Sequence, residues 1–148
     1  MTTIHHCSII SLPKLGEDMR GSLSFVESAS TGDATDGRGV LPFDIKRAYY
    51  LYDVPGGAER GGHAHKDLQQ LIVALSGSFQ VVLDDGRDKM TVSLDRPYNG
   101  LYIPTMIWRE LVGFSSGAVL FVLASNFYSE QDYYRNYDDF LQAKKLQR

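Results

Sequence analysis

Two histidines one residue apart stand out in Arg60-Gly61-Gly62-His63-Ala64-His65-Lys66 as side chains able to do chemistry. Alternate residues of an extended chain point to the same side, so the imidazoles of His63 and His65 would share one face. Imidazole titrates near neutrality, at about 6.5, and suits two tasks: holding a metal ion or moving a proton. Otherwise the two would be solvated side chains at a strand end. Flanking glycines let the backbone bend sharply, and Asp67-Leu68-Gln69-Gln70 leads into the apolar strand Leu71-Ile72-Val73-Ala74-Leu75.

The elements that must position this pair read as short strands. Cys7 to Leu12 stops at Pro13, and Gly21 to Glu27 alternates apolar with small or polar residues. Ser28 to Gly39, rich in Ser, Thr, Gly and Asp, reads as a surface loop. Phe43 to Val54 is a long β candidate with Ile45, Arg47, Tyr49 and Leu51 on one face and Lys46, Ala48, Tyr50 and Tyr52 on the other. An Arg and a Tyr on a largely apolar face are unusual for pure core.

Leu71–Leu75 and Phe79–Leu83 flank Ser76-Gly77-Ser78, a hairpin signal, and Asp84-Asp85-Gly86 makes the next turn. Lys89–Leu94, Leu101–Ile103, Ile107–Val112 and Ala118–Ala124 complete the set, the last nearly all apolar and therefore central. Turn-bounded strands at this spacing predict an all-β sandwich or barrel. Beyond Ser129 the pattern changes: Glu130–Tyr134 and Asp138–Leu146 suit short helices, with Tyr137, Phe140, Leu141 and Leu146 on one face and Lys144 and Lys145 at the negative end of the dipole.

At 148 residues the chain is expected to be one domain, residues 1–148. A net charge of −3 argues against a general nucleic-acid binder, and the longest apolar run, Ala118–Ala124, is too short to span a membrane. The N-terminus lacks the features of a signal peptide, and the single Cys7 implies a reducing, cytoplasmic setting. His5 and His6, near the chain end, are assigned no role.

A β-barrel with Gly57 five residues before His63, the H-x-H pair, Gly77 after the next strand, and a later Gly100-x3-Pro104 resembles the cupin superfamily. Metal-binding cupins offer a Glu shortly after the H-x-H pair and a further His in the second motif. Here Gln70 fills the first slot, and Pro104-Thr105-Met106-Ile107-Trp108 the second. Two histidines and a neutral amide make a poor ligand set, so no metal and no other cofactor is expected.

The resemblance narrows over Ile45–Leu141. The histidine motif, Asp84-Asp85-Gly86, Gly100-Leu101-Tyr102-Ile103-Pro104, Ile107-Trp108-Arg109-Glu110, Val122-Leu123-Ala124-Ser125 and the tail from Tyr133 to Leu141 look like the nucleotide-linked sugar 3,4-ketoisomerases of the WxcM-like cupin group. The resemblance implies a cupin (double-stranded β-helix, jelly-roll) barrel. Its implied substrate is a dTDP-linked 4-keto-6-deoxyhexose, isomerised to the 3-keto sugar ahead of a PLP-dependent aminotransferase. A homodimer is implied too, with N-terminal strands exchanged in some members.

The residues suit that chemistry. Moving a ketone from C4 to C3 removes the C3 proton, passes through an enediolate and returns a proton at C4. Two imidazoles on one face can divide the work, with His65 taken as the base at C3 and His63 as the partner in proton return, although spacing does not order them. Arg47 and Tyr49 are candidates to stabilise the enediolate oxygen, alongside the second histidine. Arg60, Lys66 and Arg109 are candidates for a pyrophosphate clamp, and Tyr102 and Trp108 for stacking on thymine or flooring the sugar pocket. Gln70 joins the substrate-binding set. The competing readings are a sugar 3,5-epimerase, whose sites pair a His with an acidic partner and a Tyr acid that this sequence does not visibly supply, and a non-catalytic sugar-nucleotide-binding cupin.

Overall fold

The computed structural model describes residues 1–28 and 41–147. The Ser28–Gly39 loop lies almost wholly outside the described residues. Among the described residues twelve strands are formed: β1 (Ser8–Ser11), β2 (Lys14–Asp18), β3 (Gly21–Ser24), β4 (Arg47–Leu51), β5 (Arg60–His65), β6 (Gln70–Ser76), β7 (Phe79–Asp84), β8 (Lys89–Leu94), β9 (Asn99–Ile103), β10 (Trp108–Val112), β11 (Val119–Ala124) and β12 (Tyr133–Tyr134). The helix α1 (Tyr137–Leu146) follows. Among the described residues no helix is long and apolar enough to cross a membrane.

Two five-stranded antiparallel sheets, ordered β1-β9-β6-β11-β4 and β12-β5-β10-β7-β8, pack face to face, and β2 and β3 form a separate ribbon. This is the expected all-β barrel. Between the sheets lie Ile72, Ala74, Phe79, Val81, Leu83, Leu94, Leu101, Ile103, Leu120 and Val122. β6 and β11 are apolar on both faces because both faces are covered. Leu71, Val73 and Leu123 point outward, under Leu12, Leu41 and Phe43. The outer face of the second sheet, Ala64 and Trp108, is covered by α1 through Phe140. Asn136 caps that helix by accepting the Asp139 N–H at 3.1 Å.

Several elements differ from the sequence reading. Ser76-Gly77-Ser78 does not close a paired hairpin: β6 and β7 belong to different sheets, so this turn carries the chain across the barrel. Gly77 (φ +66°) fits there because a Cβ would meet Ser115 Oγ at 2.4 Å. The chain after Pro13 extends as β2. The histidines close β5 rather than open β6, with a turn at 66–69 between. In place of a helix, Glu130–Asp132 forms one 3-10 turn, and Tyr133 and Tyr134 pair with His65 and Ala64. Lys144 is buried and donates to the Thr2 and Met106 carbonyls at 2.5 and 3.2 Å, whereas Leu146 is exposed.

Candidate active site

Strand alternation puts the chemistry on one wall of the barrel interior. On β5, His63 and His65 face inward and Ala64 outward against Phe140. The pairing of β5 with β10 is bulged: Leu111 faces Arg60 while Arg109 faces His63, so three steps on one strand match two on the other. Gly61, at φ +84°, takes up the extra residue. Opposite, β4 contributes Arg47, Tyr49 and Leu51, as its alternation predicted.

These strands enclose a cavity of about 370 Å³ lined by Arg47, Tyr49, Arg60, His63, Gln70 and Arg109, with Tyr128, Tyr133 and Arg135 from the C-terminal tail. His63 Nε2 and His65 Nε2 are 3.1 Å apart. His63 lines the cavity; His65 is fully buried behind it, its Nδ1 2.8 Å from Asp132 Oδ2. The Tyr133 ring covers both, with centroids 5.1 Å from His63 and 4.5 Å from His65.

Beneath them runs a chain of side chains. Arg109, buried to 1% exposure, donates from Nη1 to Gln70 Oε1 at 2.6 Å and from Nε and Nη2 to the Ile107 carbonyl. Gln70 in turn donates to Tyr49 Oη at 2.8 Å. The three donor nitrogens of Arg109 are thus engaged within the protein, making it a fixed cation under the cavity rather than a free clamp. Arg47 lies over the Tyr49 and Tyr128 rings, at 4.9 and 5.5 Å, and its buried Nε has no hydrogen-bond partner among the described residues. Arg135 stacks on Tyr133 at 4.1 Å and is held by Glu130.

Burial first, and then the Arg109 guanidinium, pushes the His63 imidazole down to about 3. The same two causes lower His65 further. Contact with the Asp132 carboxylate opposes the shift at His65 but does not remove the burial. Both imidazoles are therefore neutral, proton-accepting groups at neutral pH. Arg109 is lowered by burial to about 10 and remains a cation.

The donors do not fit a metal ion. The histidine Nε2 atoms face each other at hydrogen-bond distance, the Gln70 oxygen already accepts from Arg109, and a buried guanidinium stands opposite His63. Among the described residues no group of three or more His, Cys, Asp or Glu is arranged to hold an ion.

Of the sequence candidates, His63, Arg47, Tyr49, Arg60, Gln70 and Arg109 line one cavity, with His65 directly behind. Tyr102, Trp108 and Lys66 do not line it. Trp108 neighbours inward-facing Arg109 on β10 and so points outward, 5.2 Å from the Tyr137 ring. Tyr102 points outward from β9, stacks on Phe43 and donates to Gln69 at 2.6 Å. Lys66 lies over the Tyr134 ring. Asp132, Tyr128, Tyr133 and Arg135 reach the site only through the fold, from about 70 residues away. Asp132 is an acidic partner for a histidine, which the sequence did not visibly supply.

A two-sheet antiparallel barrel with an H-x-H pair facing its interior defines a cupin. The chain matches the FdtA family, described as WxcM-like, C-terminal, over residues 5–145, and it belongs to that family. It is 46% identical over 123 residues, 83% of this chain and 82% of the relative, to TDP-4-oxo-6-deoxy-alpha-D-glucose-3,4-oxoisomerase of Aneurinibacillus thermoaerophilus. The structure is similar to a 3,4-ketoisomerase from Helicobacter canadensis (42% identity, TM-score 0.84, covering 94% of this chain and 97% of that one). It is also similar to a sugar 3,4-ketoisomerase from Thermoanaerobacterium thermosaccharolyticum in complex with TDP (36%, TM-score 0.87, 98% of each chain). A histidine-to-asparagine variant of the latter is known in complex with TDP-4-keto-6-deoxyglucose.

Proposed function

We propose that this chain is a sugar 3,4-ketoisomerase acting on TDP-4-keto-6-deoxyglucose, with His63 and His65 as one acid–base unit. The observation that carries the chemistry is the contact of two imidazoles, 3.1 Å apart, at the wall of a cavity underlain by a buried guanidinium. The pair takes the C3 proton, and the C–H electrons become the C3–C4 double bond of an enediolate. The hydroxyl proton passes from the C3 oxygen to the C4 oxygen, a proton arrives at C4, and the carbonyl re-forms at C3. No external electron acceptor is needed. Arg109 lies under the developing oxyanion as a preorganised positive charge, and Tyr49 is held toward it by Gln70. Because His63 lines the cavity with His65 behind it, geometry favours treating the pair as a unit over giving C3 to His65 alone.

Arg47, with its unpartnered Nε, together with Arg60 and Arg135 at the rim, suits a diphosphate better than Lys66 does. The 3-keto product is a substrate for a PLP-dependent aminotransferase, and we place the enzyme in the cytoplasm. We also propose a homodimer. Ile9, Leu15 and Leu23 of the N-terminal strands are exposed, beside an apolar groove formed by Leu12, Phe25, Val73 and Phe121. Light scattering should give twice the chain mass.

The test is turnover of dTDP-4-keto-6-deoxyglucose in D2O, read by NMR. Deuterium at C4 of a 3-keto product is the expected result. Label at C3 and C5 with the ketone still at C4 would instead identify a 3,5-epimerase. Tight binding with neither label nor conversion would identify a non-catalytic module.

A further inference from the structure

Asp132 is tied down on every side. Its Oδ1 accepts the Asp67 N–H at 2.7 Å while Oδ2 faces His65 Nδ1 at 2.8 Å. The backbone around it is equally fixed, since its N–H donates to the Ser129 carbonyl and its own carbonyl accepts the Lys66 N–H at 2.8 Å. The next residue, Tyr133, is paired with His65 in the β12–β5 ladder. The carboxylate is only 12% exposed and cannot follow the imidazole if the imidazole turns.

A carboxylate can only accept hydrogen bonds, so the nitrogen facing it must carry the hydrogen. A neutral imidazole has a single N–H. With that hydrogen on Nδ1, the lone pair of His65 is confined to Nε2, the nitrogen 3.1 Å from His63 Nε2. The other tautomer would set a lone pair against a carboxylate oxygen in a buried site, where unpaired polar groups are expensive.

We propose that Asp132 is the positioning residue of the histidine pair, holding His65 as its Nδ1–H tautomer so that the basic Nε2 lone pair is directed at His63 and the cavity. When the pair accepts the C3 proton, Asp132 also faces the imidazolium that forms, and it hands back nothing itself. The catalytic consequence rests on the ketoisomerase reading; the tautomer does not.

The experiment has two arms. In the first, 15N NMR of the wild-type protein at pH 7 should show His65 protonated at Nδ1 and bare at Nε2. Asp132→Asn, whose amide can donate to Nδ1, should reverse that pattern. In the second, Asp132→Asn should lower kcat about 10²–10⁴-fold, the range that general acid–base catalysis contributes, its upper end being the loss seen when a histidine-orienting aspartate is made an asparagine. KM should stay within about threefold, and formate should restore part of the activity of Asp132→Ala. A wild-type His65 with its hydrogen on Nε2, or an Asp132→Asn enzyme with unchanged kcat, overturns the proposal. A rise in KM with kcat kept would overturn it as well, by making Asp132 a binding residue. Should the wild-type enzyme fail to convert the sugar, the functional reading falls while the tautomer measurement still decides the role of Asp132.

Discussion

Leu111 and Arg109 are two residues apart on β10, and both point into the barrel and line its cavity, yet the interior differs beyond each of them. Toward the Leu111 side the interior is closed by Phe79, Leu94 and Phe114, the two phenyl rings stacked at 5.4 Å. Toward the Arg109 side, open space is bordered by His63, Gln70, tyrosines and guanidinium groups, with His65 buried behind. Strands with the same alternation build both ends, and β10 runs from one to the other. The apolar end is stabilised by transfer out of water, roughly 25 cal/mol per Å² of apolar surface. The polar end relies on specific partners for its buried donors, as Arg109 finds in Gln70 and Ile107, and it leaves Arg47 Nε, at the cavity, without a partner among the described residues. One end is generic in its chemistry and the other is specific, so substitutions should separate stability from turnover.

The largest expected effects test that separation directly. Leu94→Ala, at a fully buried site beside Phe79, should cost about 2–5 kcal/mol of unfolding free energy while leaving kcat within about twofold. His63→Asn should do the reverse, lowering kcat about 10²–10⁴-fold with little loss in denaturation midpoint. Comparable effects of both variants on both measurements would erase the distinction between the two ends.

A subtler contrast concerns the buried cation. After burial, the Arg109 guanidinium is the largest cause of the lowered His63 pKa. Arg109→Met should therefore raise the His63 titration midpoint from about 3 toward its ordinary value, followed by NMR, and slow turnover. An unmoved midpoint would show that burial acts alone.

Acid should weaken the fold through the polar end. His63 titrates near 3 in the folded protein but near 6.5 when unfolded, so between these values the unfolded chain binds more protons. Stability is then full above pH 6.5 and falls as pH drops, by up to about 1.4 kcal/mol per pH unit for each such histidine. Urea titrations from pH 7.5 to 4.5 should show this decline, and His63→Asn should lessen its slope, leaving the share of His65.

The smallest effect is expected at Trp108. Its side chain faces α1, so Trp108→Phe should leave kcat and KM within about twofold and cost only a modest amount of stability. A large change in KM would mean that the outer face of β10 takes part in binding.

Local pattern sufficed for the barrel, because period-two alternation and turn residues are written along each strand. It also sufficed for Arg47 and Tyr49 sharing a face with Leu51 and for the H-x-H pair, since i and i+2 geometry needs no partner strand. The same rule already separates Trp108 from Arg109, which cannot both face inward from one regular strand. Tertiary structure decided what pattern cannot carry. Pairing of Tyr133 with His65 brings Asp132 against an imidazole 67 residues away, and no periodicity encodes a contact between a tail and a distant strand. The turn at Gly77 looked like a hairpin because its residue types are right for any tight turn; which sheet receives the next strand is settled by packing of the apolar faces. Lys144 is the same case in miniature: its place in the last helical turn favours it on charge grounds, but only the folded chain shows its ammonium buried on the carbonyls of Thr2 and Met106.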